Sequence, residues 1–439
     1  MVHLLEVFIL KNNIKGNPLA LLPLLVFVAL FIGTGIAVQD FKAMPITVAL
    51  FIAIIVAVLL KPNDRLSEKI AIFTRGAGRE NIMLMVLIFL LAGAFSQVAE
   101  NMGAVESTVN LGLALLPSNL LLVGLFIICC FISISMGTST GTVVALAPIA
   151  IGIAGQTDLP LALALATVIG GAMFGDNLSV ISDTTIVSTQ SQEVRMVDKF
   201  KTNFFIVLPG ALVTIVILWF ITSGQSTTPA TDLDFSLIKV LPYLAVLVIA
   251  LIGVNVLIVL TGGTVFAGLI GLIDGSYTFT SFIAAAGEGI SGMQNIAIIA
   301  ILIGGLIALI EHYGGIDYLL HFITSRIRSE KGAEFGIAAL VSATDLSTAN
   351  NTISIIITGP LAKDIADEYG VDRRKSASLL DIFAAAFQGL IPYGGQMLAA
   401  AGLAAISPVA MIPYSIYPAM LLICGIVAIL VGFPRKKTA

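Results

Sequence analysis

Residues 174–185, with the sequence FGDNLSVISDTT, combine two carboxylates, an amide and several hydroxyls in one short segment. The segment follows residues 161–173, an apolar stretch in which only Thr167 is polar. An ionisable side chain inside a membrane costs about 2.5–3.5 kcal/mol on insertion scales. Two such side chains in one segment, Asp176 and Asp183, therefore predict a function, and a bound cation or proton would offset their cost.

The chemistry that this segment favours is binding of a hard cation, because such ions prefer oxygen ligands. No Lys or Arg occurs from residue 81 to residue 194, so a salt-bridge partner would have to come from elsewhere. The alternative is that local hydrogen bonds at a helix end hold the two carboxylates. We expect Na⁺ to be bound by Asp176, Asn177, Ser182 and Asp183, with Ser179 and Thr184 as further cation-binding or coupling residues.

A second polar interruption, SISMGTSTGT at residues 133–142, precedes this segment. Its glycines loosen a helix, and Thr138 and Ser139 offer oxygens. Unwound backbone inside a membrane is tolerated where it lines a cavity, and its carbonyls then bind sodium. Close packing of helices through small residues would give the same composition. On the first interpretation, Thr138 and Ser139 join the cation site.

The elements that carry these residues must be membrane helices. The chain has 439 residues, of which 58% are hydrophobic and 11% charged, whereas soluble proteins have about 25% charged residues. The apolar runs are continuous and roughly long enough to span a bilayer, which favours helices over a β-barrel. We expect an all-α protein with about 10–14 crossings, the lipid bilayer as partner and no binding of nucleic acid.

The two halves of the chain repeat at an offset of about 211 residues. Residues 81–106 align with 292–317, and residues 1–222 and 223–439 are the predicted N-terminal and C-terminal repeats. The matches include Gly76 with Gly287, Gly93 with Gly304, Glu100 with Glu311, Gly103 with Gly314, and Pro148 with Pro360.

Charge indicates that the repeats are inverted. Residues 61–79 contain five basic residues and the matching 272–290 none, whereas 101–117 contain none and 312–331 contain three. Because short basic loops stay cytoplasmic, the same element faces opposite sides in the two halves, as in many secondary transporters. Both termini are then cytoplasmic. On the same side this scheme places Lys69, Lys199, Lys201, Arg373–Lys375 and Arg435–Lys437.

The second half has polar breaks at the matching places, in residues 342–352 and 379–396. We therefore predict a transmembrane helical bundle of two inverted repeats, with broken or re-entrant helices at the midplane. The first half suits a cation, and the second suits a coupled solute or a gate. The candidate substrate or gate residues are Asp345, Ser347, Thr348, Asn350, Asn351, Asp381, Gln388, Tyr393 and Gln396.

FGDNLSVISDTT, followed by the basic segment VRMVDKFK and a new span, resembles the NhaC family of sodium/proton antiporters in the ion transporter superfamily. GTSTGT at residues 137–142 resembles the GTS-x-GT stretch of that family. Members have proline after the serine of the first motif, where this chain has Val180, so Gly175, Asp176 and Asn177 are expected to break the helix. The resemblance implies a carrier that couples a sodium gradient to another flux.

The prediction is an inner-membrane secondary Na⁺/H⁺ antiporter, not an enzyme and without a cofactor. Na⁺ and H⁺ would compete for a midplane carboxylate during alternating access, first at Asp176 and Asp183 and next at Asp345 and Asp381. The alternative is Na⁺-coupled transport of a small organic acid or amino acid. A membrane-embedded enzyme and a passive channel are alternatives from other classes. We expect a homodimer in a bacterial plasma membrane.

Overall fold

The computed structural model describes residues 16–38, 43–62, 64–115, 120–180, 182–223, 234–251 and 254–433, and these form helices without strands. The termini that the charge pattern places in the cytoplasm lie outside those residues. The α-helices of the first half are α1 (Leu22–Val28), α2 (Thr34–Val38), α3 (Ile46–Leu59), α4 (Leu66–Ala77), α5 (Glu80–Asn101), α6 (Ala104–Leu115), α7 (Leu121–Met136), α8 (Ser139–Gln156), α9 (Leu161–Leu178), α10 (Asp183–Gln192) and α11 (Met196–Ser223). Those of the second half are α12 (Leu237–Leu251), α13 (Val256–Ile273), α14 (Phe279–Gly292), α15 (Gln294–His312), α16 (Gly315–Thr324), α17 (Glu330–Thr348), α18 (Asn351–Tyr369), α19 (Arg373–Gln388), α20 (Gly395–Ala404) and α21 (Ile416–Val431).

Membrane-spanning helices account for much of the described chain. Six helices are long and apolar enough to cross a bilayer, or seven if the bent pair Gly395–Ala404 and Pro408–Tyr414 counts as one span. That pair bends by 111°, as a broken or re-entrant helix does. Shorter apolar helices, such as Ile46–Leu59 and Leu121–Met136, pack beside them.

The order of elements repeats: α4–α11 of the first half correspond in sequence to α14–α21 of the second. The helix ends show this correspondence directly, because equivalent residues adopt the left-handed conformation that closes a helix. Gly103 and Gly314 have φ of 80° and 83°. Gly137 matches Ala349, and Glu193 matches Ala405, each pair with positive φ at a helix C-cap and about 212 residues apart.

Equivalent helices pair reciprocally between the halves. α4 packs against α15, and α5 packs against α14. In the same way α10 packs against α18, and α20 packs against α8. Reciprocal pairing of this kind is what a pseudo-two-fold axis between two repeats produces. The all-helical fold with two related halves that the sequence predicts is therefore present.

Two glycines form a close crossing between the halves, where α5 meets α14. A Cβ at Gly93 would lie 2.2 Å from the carbonyl oxygen of Gly289, and one at Gly289 would lie 2.1 Å from the carbonyl oxygen of Gly93. Small residues allow membrane helices to approach backbone to backbone. The glycines that reveal the repeat in the sequence thus serve the contact between its copies.

The helix break in FGDNLSVISDTT differs from the expectation. α9 continues through Gly175, Asp176 and Asn177 and ends at Leu178, and α10 begins at Asp183. Gly175 instead permits close packing, because a Cβ there would lie 2.4 Å from Cβ of Ser133 on α7. The break therefore lies beyond these three residues, in the segment after Leu178.

Candidate cation site

Six helix ends from both halves surround a cavity of about 410 Å³. The C-terminal ends of α9 and α19 contribute one side chain each, the N-terminal ends of α8, α10, α18 and α20 contribute most of the others, and α5 adds Leu84, Met85 and Ile88. Glu80, at the start of α5, also lines the cavity. The sequence-predicted residues that line it are Thr138, Ser139, Asp176, Ser182, Asp183, Thr184, Asn350, Asn351, Gln388 and Gln396.

Asp176 is the buried carboxylate of this cavity, with 4% of its surface exposed. Its Oδ1 accepts a hydrogen bond of 2.5 Å from the hydroxyl of Ser182, and its Oδ2 accepts one of 3.0 Å from the hydroxyl of Ser139. The Ser182 hydroxyl also lies 2.9 Å from the hydroxyl of Thr184. The neutral hydroxyl oxygens of Ser139 and Ser182 thus lie against the carboxylate, with that of Thr184 next to Ser182.

Asp183 stands on the same cavity wall but is exposed. It is the first residue of α10, where a negative charge interacts favourably with the positive end of the helix dipole. The two carboxylates that the sequence singles out therefore differ in setting. Asp176 is enclosed by hydroxyls, and Asp183 faces the open cavity.

Amides from the second half extend the hydrogen-bond network of Asp176 through Ser139. The amide of Gln396 donates to the Ser139 hydroxyl at 2.9 Å, and the amide of Gln388 donates to Oε1 of Gln396 at 2.8 Å. By the repeat, Gln388 occupies the position of Asp176. Oε1 of Gln388 is buried and has no hydrogen-bond partner among the described residues. The site is thus built from two related halves with different chemistry.

A buried ion pair lies behind Asp176. The Lys199 ammonium is 2.5 Å from Oδ2 of Asp381, and the two side chains are 1% and 0% exposed. Lys199 also donates to the carbonyl oxygen of Asn177 at 2.9 Å, which Asn203 contacts at 3.0 Å. Lys199 of α11, which is paired with Asp381 of the second half, therefore holds the C-terminal end of α9 in place.

Three lysines that the charge pattern places on the inner surface are buried. Lys69 is 3% exposed and donates to the carbonyl oxygens of Val58 and Lys61 at the end of α3. Lys199 pairs with Asp381 as described. Lys375, in the second half, is buried at 2.7 Å from Glu334. Each is satisfied by hydrogen bonds or a counter-charge, as buried charges must be.

Spacing along α11 could have revealed Lys199. Lys199 and Asn203 are one helical turn apart, and the buried Ile206 and Val207 follow at the next turn on the same face. Basic residues at a helix start suggested the surface instead. The partner, Asp381, is far along the chain, and no local pattern connects the two residues.

Several predicted site residues do not line the cavity. The Asn177 amide donates to the carbonyl oxygen of Asp381 at 3.4 Å, so its side chain is directed away from the expected cation site. The Ser179 hydroxyl donates to the carbonyl oxygen of Ile134, and the Tyr393 hydroxyl to that of Leu346, both at 2.7 Å. The predicted residues outside the cavity wall are Asn177, Ser179, Asp345, Ser347, Thr348, Asp381 and Tyr393.

An exposed charge cluster outside the cavity wall links the two halves. Glu193, between α10 and α11, lies 2.7 Å from the Lys363 ammonium and 2.9 Å from the Arg373 guanidinium. Hydrogen bonding and charge from Lys363, and then from Arg373, hold the pKa of Glu193 below its ordinary value. Glu193 therefore stays ionised at neutral pH.

Comparison with known proteins gives one family. A model described as the Na⁺/H⁺ antiporter family matches residues 7–223 and matches again over residues 220–434. The structure of a YdaH transporter from Alcanivorax borkumensis covers 94% of this chain and 99% of its own at 15% identity, with a TM-score of 0.40.

Curated relatives span most of the chain. The Na⁺/H⁺ antiporter NhaC of Bacillus subtilis is 27% identical, over 82% of this chain and 85% of its own. The malate-2H⁺/Na⁺-lactate antiporter of the same organism is 21% identical over 90% and 91%. NhaC of Alkalihalophilus pseudofirmus is 23% identical over 79% and 82%. The similarity to these relatives therefore extends over both halves of the chain.

Proposed function

Because the chain belongs to the Na⁺/H⁺ antiporter family, an integral membrane family of secondary antiporters, we propose that it exchanges Na⁺ for H⁺ by alternating access at Asp176. The observation that carries this proposal is the environment of Asp176. Its carboxylate is buried, lines the cavity and accepts hydrogen bonds from the hydroxyls of Ser139 and Ser182, the second of which lies 2.9 Å from the Thr184 hydroxyl.

Competition at one carboxylate is enough for exchange. Na⁺ requires the ionised carboxylate as a ligand, and a proton on the same carboxylate removes that ligand. Asp176 would supply the charge, and Ser182 and Thr184 would add neutral oxygens. Asp183, exposed on the same wall, would attract the cation into the cavity.

The cavity supports an inward-facing state. Glu80 lines it beside Arg79, in the basic region that the positive-inside rule assigns to the cytoplasm. Sites of secondary transporters lie near the midplane and open alternately to the two sides. Asp176 would then be reached from the cytoplasm in this state and from outside in the other.

The experiment that tests exchange is ion flux in proteoliposomes. With Na⁺ inside and no organic solute present, outward movement of Na⁺ should drive proton uptake, followed by a pH-sensitive dye trapped in the lumen. Collapsing the Na⁺ gradient with an ionophore should abolish the signal. Absence of Na⁺-driven proton movement in folded wild-type protein would contradict the proposal.

Substitution of the site carboxylate gives the sharper test. Asp176→Asn should lower Na⁺-driven proton uptake at least about tenfold, because the neutral amide neither balances Na⁺ nor exchanges a proton. Asp158→Asn is the matched control, since Asp158 is an exposed carboxylate in the loop before α9. Normal flux in Asp176→Asn would show that the coupling carboxylate lies elsewhere.

A second candidate is Na⁺-coupled exchange of a small organic acid. The cavity of about 410 Å³ is within the range of small-molecule pockets, and four helix N-termini point their positive dipole ends toward it. One relative is named as a malate-2H⁺/Na⁺-lactate antiporter. Na⁺-dependent uptake of radiolabelled malate or lactate, without proton exchange when these acids are absent, would favour this candidate.

The remaining assignments are also proposals. The relatives are bacterial, which supports a plasma-membrane location, and the basic regions support cytoplasmic termini. We propose a homodimer in the lipid bilayer, with Na⁺ and H⁺ as the transported ions and no cofactor. Cross-linking in native membranes would test the dimer.

A further inference from the structure

Asp345 is a buried carboxyl group that the exchange at Asp176 does not use. It lies on α17, is 0% exposed and is absent from the cavity wall. Neither of its carboxyl oxygens accepts a hydrogen bond from any residue that the structure describes. An isolated ionised carboxylate in such a place is so unfavourable that the group is expected to be neutral instead.

The repeat identifies the residue of the first half that is equivalent to Asp345. The backbone N–H of Ala349 donates to the carbonyl oxygen of Asp345, and the N–H of Gly137 donates to that of Ser133, each at the left-handed end of its helix. Ser133 is therefore the counterpart of Asp345. Its hydroxyl donates to the carbonyl oxygen of Ala172, on α9, at 2.6 Å.

The helix contacts extend this equivalence. α7 packs against α9, and α17 packs against α19, which is the counterpart of α9. A hydroxyl can donate to a carbonyl of the facing helix, and so can the O–H of a protonated carboxyl group, whereas an ionised carboxylate cannot. If Asp345 is protonated, its O–H can donate a hydrogen bond to a carbonyl of α19, just as the Ser133 hydroxyl donates to a carbonyl of α9.

We infer that Asp345 binds a proton as a neutral acid facing α19, and that it is a second proton-carrying carboxyl group, distinct from the cation site at Asp176. This inference rests on the proposed exchange of Na⁺ for H⁺. The proton leaves Asp345 for water when alternation separates α17 from α19, and the carboxylate takes up a proton from the opposite side. Each cycle then carries one proton more than Asp176 alone would carry.

The charged groups around α17 leave Asp345 without a counter-charge among the described residues. On α19, Lys375 pairs with Glu334 of α17, and Asp381 pairs with Lys199. The two arginines that begin α19, Arg373 and Arg374, pair with Asp367 and Asp372. The hydroxyl of Tyr393, which follows α19, donates to the carbonyl oxygen of Leu346. The described part of α21 has no charged side chain, and α15, α16 and α18 carry the remaining titratable charges: Glu311, His312, Asp317, His321, Lys363, Asp364, Asp367 and Glu368.

A proton fits this place better than a sodium ion. Sodium needs several oxygen ligands, whereas Asp345 is fully buried outside the cavity wall and hydrogen-bonds to no hydroxyl among the described residues. A proton needs one acceptor. Asp345 also lies only one helical turn, about 6 Å along the axis, from Ala349, whose carbonyl oxygen accepts from Gln388 on the cavity wall.

The decisive measurement is the coupling ratio in proteoliposomes at zero membrane potential. For two protons per Na⁺, a tenfold Na⁺ gradient is balanced by a pH gradient of about half a unit, and for one proton by about one unit. We expect the first value for wild type and the second for Asp345→Ser, which copies the residue of the first half. Ser342→Ala, on the same helix, should behave as wild type.

The same balance point in Asp345→Ser and wild type would overturn the inference. Loss of all exchange in wild type would count against the proposed function, and infrared spectroscopy then decides the state of Asp345 separately. A protonated carboxyl group has a C=O stretch that a carboxylate lacks. That band should be present in wild type at neutral pH and lost in Asp345→Ser, whereas an unchanged spectrum would refute a protonated Asp345.

Discussion

Ser139 links the two halves of the chain at the candidate site. Its hydroxyl donates to Oδ2 of Asp176 and accepts from the amide of Gln396. One hydroxyl therefore connects the carboxylate of the first half to the amides of the second. Because Ser139 is also the first residue of α8, its position depends on the N-cap formed by Thr138, which accepts from the N–H of Gly141.

Ser139→Ala should weaken Na⁺ binding without unfolding the protein. A hydrogen bond to a charged group contributes about 1.5–3 kcal/mol, so the apparent Na⁺ affinity should fall roughly tenfold or more. The measurement is the Na⁺ concentration that gives half-maximal proton flux. Ser135→Ala is the control, because the Ser135 hydroxyl donates to Phe131 of its own helix and lies outside the cavity wall. Equal effects of the two substitutions would contradict this role of Ser139.

At this scale the sequence predicts which segment matters but not where each side chain points. Asp176 stands out because an acid in an apolar run is costly. Asn177 belongs to the same polar segment, yet successive residues on a helix point about 100° apart. Asp176 faces the cavity and Asn177 faces Asp381, a difference that requires the position of α19.

Among the elements, α11 and α19 are joined by the buried pair of Lys199 and Asp381. Asn203 adds a second donor to Oδ2 of Asp381, at 3.0 Å. Since Lys199 and Asn203 also hold the carbonyl oxygen of Asn177, three helices meet at this pair. The end of α9 that carries Asp176 is thereby tied to both halves.

Replacing one member of this pair should destabilise the protein more than replacing both members together. Lys199→Met or Asp381→Leu alone leaves an unpaired buried charge and should cost about 3–5 kcal/mol, whereas the double variant should recover much of that loss. Thermal unfolding in detergent measures the three variants. Lys201→Met, at an exposed neighbouring position, is the control. Additive losses in the double variant would argue against a coupled pair.

The helices themselves follow from the sequence more closely than their breaks do. Continuous apolar runs predict the spans, and the polar interruptions predict where helices end. The break after α9 lies later than expected because Gly175 is used for packing against α7 and does not end the helix. Packing partners decide the use of a glycine, and they are not visible in a local pattern.

At the scale of the whole molecule, the crossing of Gly93 and Gly289 brings α5 and α14 into backbone contact. Gly93→Ala should force these helices apart and destabilise the protein by about 1–3 kcal/mol, as overpacking does. Gly262→Ala is the control, since a Cβ there would meet nothing within 4 Å. Melting temperatures in detergent compare the two variants, and equal melting temperatures would contradict a tight crossing.

The overall arrangement is predictable to the extent that the halves resemble each other. Glycines at a nearly constant offset indicate the repeat, and the basic regions indicate its inversion. The sequence does not show which helix of one half packs against which helix of the other. The pairings of α4 with α15 and of α10 with α18 follow from the three-dimensional symmetry.

The reciprocal pairing also bears on how such an architecture can arise. Each half contains both helices of the contact. In one contact α5 of the first half packs against α14 of the second, and in the other α15 of the second half packs against α4 of the first. A half-length chain inserted into the membrane in both orientations would therefore be complementary to itself. Once two such copies are fused in one chain, their sequences can diverge. One copy can then keep Asp176 while the other carries Gln388 at the equivalent position.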